Sequence, residues 1–320
     1  MNQETLRDRL YGCYVTIPTM FHDTPDLDVN LDATRQHVNF LIDGGIRTGT
    51  GVLLACGAAG DFSTLSFEER ILIAEAVVDE AAGRVPVILG AQTTSTRELV
   101  ALAKEAARVG AEYIQVSPPF YFPHTEGDFY EYILAASEAA DIGLIIYNTF
   151  WTSPSVSMGM VERLVELPNV AGLKWSVPGG VFAGMEQIVA QFGDRVSVID
   201  NNGSFVVTHI LGARGIEVHT ANYWPQWAVS FLHLLEAKQY DEAQREMMRV
   251  LLPFYKLWDE MRQFTAGDGY ADKLLMELVG LPSSRCRPPT RDVRQQFRQQ
   301  ALEMLTEVGV PSAQEVSVSV

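Results

Sequence analysis

Residues 85–117 read VPVILGAQTTSTRELVALAKEAARVGAEYIQVS. Two apolar runs, VPVIL from Val85 and AEYIQVS from Ala111, flank a stretch whose apolar residues recur at helical spacing. Ser95 and Glu98 form an S-x-x-E capping box at the head of that stretch. A strand, a turn, a capped helix and a second strand make a βαβ unit. The same alternation extends to both sides. Strands are predicted at YGCYVTIP from Tyr11, GVLLAC from Gly51, IGLIIY from Ile142, VAGLKW from Val170, VSVID from Val196 and RGIEVH from Arg214, which brings the total to eight. Helical stretches such as LDATRQHVNFLID and SFEERILIAEAVVDEAA lie between them, the latter opened by a second box, Ser66/Glu69. The strands are nearly continuous Val/Ile/Leu runs, as a parallel sheet buried on both faces requires. Eight similar units without a composition break favour an α/β fold, a (β/α)8 TIM barrel over residues 1–237, against a doubly wound open sheet. Its eighth helix is predicted from about Asn222 to Ala237. Three further helical stretches, QYDEAQREMMRVLLPFYKLWDEMRQF, GYADKLLMELVG and TRDVRQQFRQQALEMLTEV, predict a C-terminal helical extension over 238–310, and 311–320 reads as a frayed tail.

Composition limits the partners. The 320 residues carry 24 Lys+Arg against 40 Asp+Glu, a formal net charge of −16, and so acidic a surface repels nucleic acid and anionic membranes. Cys13, Cys56 and Cys286 are too few for a disulfide framework, which fits a reducing compartment. The start MNQETLRDRL lacks the basic and apolar segments of a signal peptide, and no apolar run approaches a membrane span, so a cytoplasmic location is expected. The six histidines show no H-x-x-x-H or H-x-H pair, and no metal is expected. No phosphate-binding glycine loop follows a strand.

In a barrel of this kind the active site lies at the carboxyl ends of the strands. One side chain there stands out. Of five lysines, Lys104, Lys238, Lys256 and Lys273 fall in predicted helices as solvated ammonium groups, whereas Lys174 ends a strand. An amine projecting among apolar walls is pushed toward its neutral, nucleophilic form and can form a Schiff base. The alternative is a barrel lysine paired with a carboxylate such as Asp200 or Glu217. Tyr147 ends the preceding strand, where a phenol could relay protons to and from a carbinolamine oxygen. His219 and Cys56, single strand-end residues, read as structural.

These landmarks resemble the dihydrodipicolinate synthase and N-acetylneuraminate lyase family of class I aldolases, from about Gly12 to Pro289. The matching residues are Pro18-Thr19-Met20-Phe21, Gly57-x-x-Gly60-Asp61, Pro118 through Pro123 with Glu126-Gly127, Tyr147-Asn148, Gly172-Leu173-Lys174, and Lys273 with Gly280 and Arg287-Pro288-Pro289. The resemblance implies Lys174 as the imine lysine and Tyr147 as the relay. It also implies a 2-oxo acid substrate, no cofactor beyond the covalent imine, and a homo-oligomer, tetramer or dimer. Substrate contacts are expected from Gly57, Ala58, Ala59, Gly60, Asp61, Tyr121, Thr152, Trp175, Glu217 and Trp224.

The departures concern substrate choice. Ala58 and Ala59 stand where pyruvate-binding members usually carry Ser or Thr, so that loop offers backbone N–H groups. Ser63 and Thr64 nearby read as capping residues. Asp61 replaces a Glu, and Phe120 stands where a second tyrosine is usual, with Tyr121 one position later. The arginine that holds an aldehyde partner's carboxylate is absent from Thr149-Phe150-Trp151-Thr152-Ser153. A charged second substrate would meet no cation there, at a cost of several kcal/mol. Phe62, Phe120, Tyr121, Phe122, Phe150, Trp151, Trp175, Tyr223 and Trp224 occupy strand-end loops instead. The reading is a pyruvate-type aldolase or hydratase-aldolase with an apolar or aryl aldehyde partner. A 2-keto-3-deoxy sugar acid dehydratase/aldolase, or a non-catalytic barrel used for binding or as a scaffold, is the alternative.

Overall fold

The computed structural model describes residues 2–178, 182–311 and 313. The rest of the expected tail, 312 and 314–320, lies outside the described residues. Eight parallel strands close into a barrel in chain order: β1 (Gly12–Thr16), β2 (Gly51–Ala55), β3 (Val87–Gly90), β4 (Tyr113–Val116), β5 (Gly143–Tyr147), β6 (Val170–Trp175), β7 (Ser197–Asp200) and β8 (Gly215–Glu217). Closure is made by β1 against β8, with Tyr14 opposite Glu217. The eight predicted strands are all present, and the open-sheet alternative falls.

Helices alternate with the strands along the chain: α1 (Gln3–Arg9), α2 (Leu31–Asp43), α3 (Phe67–Ala81), α4 (Thr96–Val109), α5 (Glu126–Ala139), α6 (Met158–Leu164), α7 (Phe182–Phe192), α8 (Phe205–Leu211) and α9 (Pro225–Glu236). The expected extension is α10 (Tyr240–Met261), α11 (Tyr270–Leu278) and α12 (Arg294–Val308). The Ser66/Glu69 box is complete: Glu69 N–H donates to Ser66 Oγ at 3.1 Å and Ser66 N–H to Glu69 Oε2 at 2.8 Å. The second box is half made. Glu98 N–H donates to Ser95 Oγ, but the Glu98 carboxylate accepts the Thr93 hydroxyl and Ser95 N–H turns to Thr93.

The described chain falls into two compact units. One takes in Arg47–Leu54, Ala81–Glu217 and the chain up to Tyr14; the other takes in Val15–Ile46, Ala55–Glu80 and the chain from Val218 onward.

In the first unit, α1 is an element the sequence reading missed. Asn2 caps it by accepting Thr5 N–H at 2.8 Å. Leu6 and Leu10 join Tyr14, Val52, Leu54, Ile88, Tyr113, Ile145, Ala171 and Ile199 in one buried cluster. The Tyr113 and Ser197 hydroxyls donate to the Leu6 and Leu10 carbonyls at 2.7 and 2.5 Å. Gln3 donates to the carbonyl of Val170, the first residue of β6. Helix α1 therefore closes the amino end of the barrel, with about 1.5–3 kcal/mol of hydrophobic stabilisation from each leucine.

In the second unit α11 is buried on nearly every face. Lys273, expected as a solvated helix lysine, is wholly buried; its Nζ donates to Asp61 Oδ2 at 2.5 Å and lies 4.6 Å from the Phe21 ring centre. Lys238 also departs from expectation, standing between α9 and α10 at φ +57°.

Candidate active site

Strand β6 carries the centre of the site. Its pairing with β5 shifts at its start: Leu144 faces Val170, but Ile145 faces Gly172, so Ala171 is an extra residue. Beyond this bulge the strands run in register and Tyr147 stands directly opposite Lys174. Successive side chains point to opposite faces. Ile199, the β7 partner of Lys174, belongs to the barrel core, whereas Asp200, the partner of Trp175, accepts a hydrogen bond from Thr208 of α8. Lys174 therefore points into the lumen and Trp175 away from it.

Three groups of the barrel surround the Lys174 amine. Its Nζ lies 4.7 Å from the centre of the Tyr14 ring and 4.8 Å from that of Tyr147, between two π-faces. Glu217 Oε1 stands at 3.6 Å. Lys174, Tyr147 and Glu217 are all buried. Of the two carboxylates weighed as partners, Glu217 is the one present; Asp200 occupies the outer face of β7.

The phenols differ in role. Tyr14 donates to Gln115 Oε1 at 2.8 Å across the lumen, and its acidity is suppressed well beyond the ordinary phenol, chiefly by burial and then by the Glu217 charge. It is a neutral floor. The Tyr147 oxygen accepts from Asn201 Nδ2 at 3.3 Å. Asn201 also donates to Ser176 Oγ at 2.5 Å, and the Ser176 hydroxyl donates to the Asn201 carbonyl at 2.9 Å. Asn148 fixes the β5 end by donating to Ser176 O and accepting from Val156 N–H. Ser176 and Asn201 follow directly on β6 and β7. Tyr14 and Gln115 lie mid-strand and were missed, because a lumen-facing residue one layer down carries no loop signal.

The other expected contacts divide. Trp175 is buried on the face opposite Lys174, so its indole packs outside the lumen; that expectation is corrected by strand parity. Trp151 stands edge-on to Tyr147 at 5.9 Å between ring centres, and Phe150 edge-on to Trp151 at 5.0 Å. With Tyr121, Phe122 and Thr152 they line a groove of about 410 Å³. Tyr121 is 85% exposed and held at φ +92°, and the Thr152 hydroxyl donates to Thr149 Oγ1 at 2.7 Å.

In the second unit, the Gly57–Asp61 loop is folded on itself: Gly60 N–H donates to Gly57 O, Asp61 N–H to Ala58 O, and Gly60 O accepts the Thr19 hydroxyl. The N–H groups of Ala58 and Ala59 find no acceptor among the described residues, leaving two backbone donors suited to an anion. Asp61 is committed to Lys273. Thr64 donates back to Asp61 O within its own turn, and it is Ser66 that caps α3, so the expected capping by Thr64 is corrected. Trp224 lies beside Trp227 and under the Arg249 guanidinium. His219 is paired with Asp272 at 3.0 Å and stacked on Phe254, a structural arrangement. Burial pushes the Cys56 thiol up to about 12 and removes it as a nucleophile.

Among the described residues no helix is long and apolar enough to cross a membrane. The chain matches the dihydrodipicolinate synthetase family over residues 10–308. It is 28% identical to the 4-hydroxy-tetrahydrodipicolinate synthase of Nitrosospira multiformis, over 94% of this chain and 97% of that one. It is 32% identical to that of Neisseria meningitidis serogroup C, over 80% and 84%. Its fold superimposes on the dihydrodipicolinate synthase of Acinetobacter baumannii, solved as a pyruvate complex, with a TM-score of 0.83 and 25% identity, over 94% of this chain and 99% of that one. The chain belongs to the dihydrodipicolinate synthetase family and is a class I lyase of the lysine-imine type.

Proposed function

We propose that Lys174 forms the imine with a pyruvate-type 2-oxo acid and that Tyr147 moves the protons of its formation. The supporting observation is the in-register pair at the ends of β5 and β6, with the amine held between two phenol rings. The amine attacks the oxo carbon, and the resulting carbinolamine must lose its oxygen as water. Tyr147 accepts a hydrogen bond from Asn201, which fixes the phenol, and its hydroxyl donates the proton to that oxygen. The covalent imine is the electron sink, and no further cofactor is needed for it.

The bond-making partner is an apolar or aryl aldehyde. Phe150 and Trp151 follow Tyr147-Asn148 closely, and among the described residues none lining the groove they share with Tyr121 and Phe122 is cationic. An uncharged ring is desolvated there at little cost, whereas a second carboxylate would be left unpaired. A sugar acid is the weaker reading, because the Thr149 and Thr152 hydroxyls that could meet it bond to each other. The enzyme is assigned to the cytoplasm as a homo-oligomer, on its composition and its family.

Pyruvate with borohydride should leave one adduct, on Lys174, and Lys174→Arg should abolish both adduct and turnover, by roughly 10⁴-fold or more for a covalent nucleophile. An adduct on another lysine would reject the assignment. Aldehydes assayed with pyruvate by kcat/KM should rank benzaldehyde-like acceptors above aspartate semialdehyde; the reverse order would reject the aryl reading.

A further inference from the structure

The carboxylate beside the amine has no part in the mechanism so far. Glu217 ends β8 opposite Tyr14, is buried, and holds Oε1 3.6 Å from Lys174 Nζ. That separation is an ion pair but exceeds hydrogen-bond length. The molecule's other buried lysine, Lys273, sits 2.5 Å from its carboxylate. A carboxylate whose task is to hold a lysine comes to bonding distance; Glu217 stands back from the nitrogen by about the space of the atoms that would be built on it.

We infer that Glu217 is the catalytic base that takes the proton from the carbon next to the imine carbon. This rests on Lys174 being the imine lysine. Once the imine forms, that carbon lies two bonds from Nζ, so a carboxylate oxygen 3.6 Å from Nζ stands within reach of its proton. Glu217 removes the proton, the C–H electron pair becomes the new C=C bond, and the former C=N pair moves onto nitrogen. The products are a neutral enamine and a neutral carboxylic acid. The enamine carbon then attacks the aldehyde carbon, and the acid returns its proton to the new alkoxide. The walls favour this step. Protonated imine and carboxylate are a charge pair in a buried lumen, and one proton transfer cancels both charges without solvent rearrangement. Tyr147, tied to Asn201, is left to the oxygen of the carbinolamine.

The test uses pyruvate alone, in D₂O, followed by proton NMR of its methyl group, with borohydride trapping in parallel. The wild-type enzyme should exchange the methyl protons. Glu217→Gln should still be trapped at Lys174 to within a few-fold, while exchange falls by about 10²–10⁴-fold, the range for a positioned acid–base group. Glu217→Asp, which keeps the charge and shortens the reach, should recover part of the exchange; it carries the test alone should the Gln variant not fold, with exchange lowered more than trapping. Exchange preserved in Glu217→Gln would overturn the inference. So would exchange and trapping falling together, which would make Glu217 a positioning residue for Lys174. Absence of any wild-type adduct would overturn the imine assignment itself and this inference with it.

Discussion

Two buried lysines, each beside a carboxylate, show how one residue type is put to opposite uses. Lys273 in α11 touches Asp61 at 2.5 Å, sits 4.6 Å from the Phe21 ring centre and has no solvent exposure. Lys174 in β6 lies 3.6 Å from Glu217 with aromatic rings on two sides. Burial does not separate them, and neither does the presence of an acid. The closeness of the acid does: a hydrogen-bonded ion pair commits the amine to structure, and a looser one leaves it room to become a covalent intermediate.

Breaking the tight pair should give the largest effect. Asp61→Asn leaves the Lys273 charge buried with a neutral partner, and unfolding by denaturant should show a loss of about 3–5 kcal/mol. Replacing both residues by apolar ones of similar volume should restore most of it. A stable Asp61→Asn protein would remove the contrast between the two lysines. The looser site is sharpened by Tyr147→Phe, which keeps the ring beside Lys174 and removes the hydroxyl. Its kcat should fall by about 10²-fold, or ~2.7 kcal/mol in barrier; an unchanged kcat would reduce Tyr147 to packing.

The smallest effect lies in the polar core around Asn222. Asn222 Nδ2 donates to Thr16 O and Asp272, so its Oδ1 receives the Nε2 proton of His37 at 3.1 Å. Burial, the main cause, lowers His37 from 6.5 to about 4. Between those values the unfolded chain binds the proton and the native one does not, so stability is full above pH 6.5 and declines as pH falls toward 4. Denaturant unfolding near pH 7 and pH 5 should differ by about 2 kcal/mol from this group, a difference that His37→Gln should remove.

Most of the barrel was legible, because its strands are apolar runs that few other elements could use and its helices announce themselves by caps at Ser66 and Ser95. Helix α1 was not, since only Leu6 and Leu10 mark it and its stability comes from the barrel end it closes. The strand-end positions of Lys174 and Tyr147 were legible. Lys273 was misread because helical spacing reports which residues share a face, and α11 has scarcely an outer face to expose. Trp175 was misplaced for a related reason: proximity along the chain to Lys174 means opposition across the strand.

The foot of β6, below Lys174, decides more than a local kink. Gly172, next to the bulged Ala171, is pressed by Leu10 at the carboxyl end of α1, where a Cβ would collide, so β6 is clamped at the barrel floor just two residues before the amine. Above that clamp each residue counts as a parity bit. Removing the bulged Ala171 alone would leave Lys174 opposite Tyr147, whereas deleting Leu173 above the clamp would exchange the addresses of Lys174 and Trp175: the indole would enter the lumen and the amine would face the helices. The chemistry of this chain hangs on a count of residues between two fixed points, a quantity that no inventory of side chains records.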